Sequence, residues 1–110
     1  MADDDAERAT VEEGKKVAQS ELAHFMEHRD SATYWSAMRT LTFPATWGEL
    51  RGALSARLAT RVNDNTIRNI LRALRDAGIV VEGAGQYAIG DPMTRAYVRE
   101  SARPPASSDA

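Results

Sequence analysis

Apolar residues recur at helical spacing through residues 63–78, "NDNTIRNILRALRDAG", where Ile67, Ile70, Leu71 and Leu74 fall at i, i+3, i+4 and i+7. That period places four branched side chains on one stripe of an α-helix and leaves the other side polar. Asn63 is a good cap for its start, Asp64 sits in the first turn where the helix dipole favours an anion, and Gly78 supplies the left-handed residue that ends it. Two short β-type runs follow, "IVVEG" and "QYAIG", separated by Ala84 and Gly85, which predicts a hairpin.

The same pattern upstream predicts three more helices. Residues 10–29 open on a Thr10-x-x-Glu13 capping box and carry a narrow stripe of Val11, Ala18, Leu22, Phe25 and Met26, with Gly14 weakening the first turns; a stripe this thin is expected to pack across the small domain, the alternative being a pairing with a second copy of itself. Residues 31–41 place Tyr34, Met38 and Leu41 inward, with Ser31 as the cap. "TFPA" interrupts the pattern, because proline disfavours helix in the residue before it, and Phe43 is expected on a short strand. Thr46-x-x-Glu49 is a second capping box, and Leu50, Leu54 and Leu58 with Ala53 form the stripe that follows it. Trp47 reads as a packing residue at that helix entry rather than a ligand platform. After the hairpin, Asp91-Pro92 caps a last helix, "PMTRAYVRES".

The expected fold is therefore mainly α with a small β-hairpin (α+β): a winged helix-turn-helix over residues 31–100, preceded by a long N-terminal helix at 10–30. The hairpin directly after the arginine-bearing helix is the most specific part of that expectation. Residues 1–9, acidic and without periodicity, and the "SARPPASSDA" tail at 101–110 are expected to be disordered.

Composition narrows the functions. A chain of 110 residues that is 43% apolar supports one core. It has no cysteine, which excludes disulfides and thiolate metal sites. No apolar run is long enough for a membrane span and "MADDDAERAT" lacks a signal-peptide core, so a cytoplasmic protein is expected. "HFMEH" at 24–28 matches the H-x-x-E-H pattern of inverted zinc proteases, which needs a third ligand and an open cleft. The chain offers neither, so His24 and His28 are expected on the solvated side of their helix. With no nucleophile–base pair or metal cluster in view, no enzyme, cofactor or small-molecule ligand is expected.

Charge adds a direction. The net charge of −2 conceals an asymmetry: residues 1–30 hold nine acidic side chains against four basic ones, whereas 51–75 hold six arginines against Asp64 alone. A basic middle hints at an anionic partner for one face.

From Tyr34 to Val98 the chain resembles the C-terminal winged-helix domain of archaeal-type P-loop ATPases of the STAND class. The matching residues are Tyr34 with Leu41, "TWGEL", "NTIRNILRALRDAGIV" and "QYAIGDPMTRAYV", the Gly-Asp-Pro exit being the most distinctive. The resemblance implies a winged-helix fold that binds DNA or serves as a docking or autoinhibitory module. The G-x-x-x-x-G-K-[ST] phosphate loop of those ATPases is missing, so ATP binding in their manner is not expected.

Duplex DNA read by helix 63–77 is the leading expectation. With the four apolar residues inward, Asn65, Arg68, Asn69, Arg72, Arg75 and Asp76 face outward. Arginine pairs with guanine O6 and N7, and asparagine with adenine N6 and N7, so Asn65, Arg68 and Asn69 near the helix start are the readout candidates. Thr66 suits a phosphate or a thymine methyl, Arg57, Arg61 and Arg75 suit phosphates, and Arg72 suits either. The wing, "EGAGQ", offers Gly83, Gly85 and Gln86 but no basic residue, whereas wings that enter a minor groove usually bring one. That deficit sustains an alternative: a protein-interaction module, with helix 10–29 forming a homodimer or partner contact.

Overall fold

The computed structural model describes residues 2–101 and 103–105, with side chains from Glu12 onward. Among the described residues five helices and one hairpin follow in order: α1 (Ala2–Met26), α2 (Ser31–Thr40), α3 (Trp47–Leu58), α4 (Asp64–Asp76), β1 (Val80–Gly83), β2 (Gln86–Ile89) and α5 (Pro92–Glu100). The arrangement is α+β and winged-helix-like: α2, α3 and α4 form the three-helix unit, β1–β2 the wing, and α1 the long preceding helix.

The starts of α2, α3, α4 and α5 each have a local cause. Thr46 accepts from the Glu49 amide while the Glu49 carboxylate accepts from the Thr46 amide at 2.8 Å, completing the capping box of α3. Asn63 accepts from the Thr66 amide at 2.9 Å and Asp91 from the Thr94 amide at 2.8 Å. At α2 the cap is Asp30 and not Ser31. Its carboxylate reaches the Thr33 hydroxyl at 2.7 Å as well as the Thr33 amide, and a negative charge there suits the helix dipole.

The helix α1 starts at Ala2, so Thr10 lies inside it and does not open it. No glycine or proline occurs between Ala2 and Glu13. Nothing stops a helix anchored at 15–26 from propagating back through the acidic segment, since each added residue costs far less than nucleation. Residues 2–9 of the 1–9 segment expected to be disordered thus fall within α1, and residue 1 lies outside the described residues. Residues 102 and 106–110 of the expected disordered tail lie outside the described residues.

The core gathers Leu22, Phe25 and Met26 of α1 with Trp35, Ala37 and Met38 of α2, Leu50 and Leu54 of α3, the four apolar residues of α4, and Val80, Ile89 and Val98. Leu41 is fully buried as expected, Leu58 is partly buried, and Trp35 rather than Tyr34 is the buried aromatic of α2. Phe25 and Tyr34 meet edge to face at 5.7 Å, and Trp35 and Tyr97 at 6.2 Å. The helix α1 packs mainly along α5. At Gly14 the two helices meet tightly: a Cβ there would stand 2.9 Å from Met93 Cγ.

Two backbone devices set the wing. Gly78, at φ +77°, ends α4: its amide reaches the Arg75 carbonyl and the Ile79 amide the Leu74 carbonyl, the paired bonds of a Schellman motif. Ala84 and Gly85 both take positive φ, +55° and +76°, as the two central residues of a tight type I′ hairpin turn require. Val80 then pairs with Ile89 and Glu82 with Tyr87. The third strand segment is a single bridge from Ala45 to Tyr87, so the expected strand residue Phe43 lies outside it and is exposed.

Candidate nucleic-acid interface

The α4 stripe is fully committed to the core: Ile67 and Leu74 are 0% exposed, Ile70 2% and Leu71 5%. This fixes the rotation of α4 and turns Asn65, Arg68, Asn69, Arg72, Arg75 and Asp76 to solvent. At 3.6 residues per turn Asn65, Asn69, Arg72 and Asp76 lie near the middle of the exposed face, and Arg68 and Arg75 along one edge.

That edge borders a groove of about 590 Å³. Its walls are Arg68, Leu71, Arg72, Arg75 and Asp76 of α4, Trp47 at the start of α3, and Tyr87 of β2. Tyr87 belongs there because alternate residues of a strand share a face, and Ile89 on the same face is buried in the core. Trp47 packs on the core as expected, but it also forms part of the groove wall. The period-2 alternation of "QYAI" was the sequence signal for Tyr87.

At the start of α4, Arg61 and Asn65 line a second, smaller depression with Arg51, Asn63 and Asp64. Two of the arginines near α4 are already paired. Arg51 is bound to Asp64 at 2.6 Å, and Arg75 to Glu82 of the wing at 3.2 Å. Among the described residues, Arg61, Arg68 and Arg72 have no carboxylate partner. Thr66 is half-buried, and its hydroxyl donates to Asn63 at 3.0 Å, so the cap already occupies it.

Arg57 stands apart. Six residues beyond Arg51, it projects from a different side of α3, into a cleft shared with Arg39 and Arg99. Arg57 is thus separated from Arg61 and Arg75, the other two arginines expected at phosphates. At the wing, Gly83, Gly85 and Gln86 are exposed, and the nearest charge is the acidic Glu82.

His24 and His28 are exposed, and His24 is 3.5 Å from Glu27. Among the described residues no group of three potential metal ligands occurs, and no helix is long and apolar enough to cross a membrane. No protein-family model matches the chain, and no curated protein matches it.

Proposed function

We propose that the protein binds duplex DNA by placing α4 in a major groove. The observation that carries this reading is the one-sided burial of α4. Its apolar stripe is spent on the core, while Asn65, Arg68, Asn69 and Arg72, all groups able to recognise base edges, are presented together on the free face. Arg61, at the helix entry, is placed for a phosphate. The resemblance to ATPase-linked winged helices suggests a role in transcription regulation or as the DNA-binding module of a larger assembly.

Binding to duplex DNA measured across a salt series tests the proposal. Arg61 on a phosphate, joined by Arg72 if it too takes one, predicts a slope of log K against log salt of about −1 to −2, at roughly 0.9 per phosphate neutralised. Arg68→Ala is expected to weaken a preferred site by ~1–3 kcal/mol and to relax its specificity, whereas Arg61→Ala should reduce the slope by about one. A slope near zero, or an Arg68→Ala/Arg72→Ala variant that binds like the parent, would overturn the reading. In that case the aromatic-walled groove beside Arg75 and Glu82 would favour docking of a protein partner.

A further inference from the structure

The second basic surface lies beyond α3, away from α4. Arg39 of α2, Arg57 of α3 and Arg99 at the end of α5 line a cleft of about 360 Å³ that also takes in Thr42, Phe43 and Ala53. Three separate elements supply the arginines, so no linear motif announces the cluster. The lining contains no carboxylate, and among the described residues none of the three guanidinium groups has an acidic partner. Like charges collected in one cleft repel each other unless an anion enters.

Two of the guanidinium groups are held in place. Arg39 donates to the Ser101 carbonyl at 2.5 Å, and Arg99 to the Thr42 carbonyl at 2.9 Å. Each bond uses one of five N–H donors and leaves a planar fork for another acceptor. Arg99 also lies over the ring of Phe43, 4.4 Å from its centroid. Phe43 is 64% exposed, an unusual position for a phenylalanine in a small domain with a well-filled core.

We infer that this cleft binds single-stranded nucleic acid, with a backbone phosphate among Arg39, Arg57 and Arg99 and the adjoining base stacked on Phe43. Paired guanidinium donors match phosphate oxygens. The face of Phe43 turned away from Arg99 serves an unpaired base, because the faces of a base inside a duplex are already covered by its neighbours. The inference uses no residue of the α4 face and stands independently of the duplex proposal.

Fluorescence anisotropy on the full chain with a labelled oligothymidylate of about 15 nucleotides tests it. Phe43→Ala is expected to weaken binding ~10-fold or more, Phe43→Trp to retain it, and Arg57→Ala to lower the salt slope by about 0.7. Arg68→Ala/Arg72→Ala should leave this affinity unchanged while weakening duplex binding, which separates the two sites. Phe43 and Arg57 are exposed, so both alanine variants are expected to melt with the parent. The inference fails if the oligonucleotide does not bind, or if Phe43→Ala and Arg57→Ala bind it like the parent. It also fails if polyglutamate or inorganic phosphate at matched concentration displaces the oligonucleotide as well as unlabelled oligothymidylate does.

Discussion

Glu82 reaches across from the wing to Arg75 at 3.2 Å, with the two side chains 39% and 52% exposed. A surface ion pair of this kind contributes ~0–1 kcal/mol to stability, so its main effect is on what Arg75 is free to do. A phosphate approaching Arg75 must displace the carboxylate. Glu82→Gln is therefore expected to tighten duplex binding and to steepen the salt slope by about one, with little change in melting temperature; titrations of the two proteins side by side would show it. The corresponding pair at Arg51 and Asp64 narrows the basic patch in the same way. Neither pairing was legible in the sequence. Charge counting sees six arginines against one acid between residues 51 and 75, but ion pairs are made in space, and Glu82 lies beyond that window. The apolar side of α4 was legible residue by residue, because burial follows the helical period directly.

Elements were easier to read than their joints. The capping boxes, the left-handed Gly78 and the two-residue turn all have fixed chemistry at fixed spacing, and each is found where the sequence places it apart from the Thr10 box. The start of α1 and the choice between Asp30 and Ser31 depend on helix propagation and on which side chain reaches the amide, and spacing does not decide either. At α3 the Thr46 amide, donating to the Glu49 carboxylate, holds that carboxyl below its ordinary pKa. A depressed carboxyl contributes stability that is present above its unfolded value and is lost as pH falls through the folded one. Acid titration of melting temperature should thus show a loss on the acid side of the ordinary carboxylate range, and Glu49→Gln should flatten that part of the profile. Gly14 is the joint between α1 and α5. A side chain there meets Met93 at once, so Gly14→Val is expected to cost ~1–3 kcal/mol in a denaturant melt, with Met93→Ala restoring part of the loss in a double-mutant cycle.

At the scale of the molecule, the narrow stripe of α1 suits either packing across the small domain, the outcome favoured from sequence, or pairing with a second copy of itself. The structure builds it into the same core: Leu22 is 1% exposed, Met26 6% and Phe25 8%. A thin apolar stripe is sufficient when its counterpart is one short helix, and that counterpart could not be chosen from α1 alone. Burying three such side chains contributes ~1.5–3 kcal/mol each, against a total stability of about 5–15 kcal/mol for a small domain. A chain lacking residues 2–29 is therefore expected to lose cooperative thermal unfolding, as followed by circular dichroism. Persistence of a sharp transition would show α1 to be dispensable. The helix is also tied to α5 by Lys15 and Glu100, which meet at 2.5 Å across 85 residues of sequence. That bond raises the Lys15 pKa, so its contribution holds below the ordinary lysine value and disappears as pH rises through the raised one. The separation also has a consequence during biosynthesis. At ~5–20 residues per second, α1 leaves the ribosome roughly 4–17 s before α5. For that interval its apolar stripe faces solvent without its final cover, making α1 the segment on which a chaperone would act first.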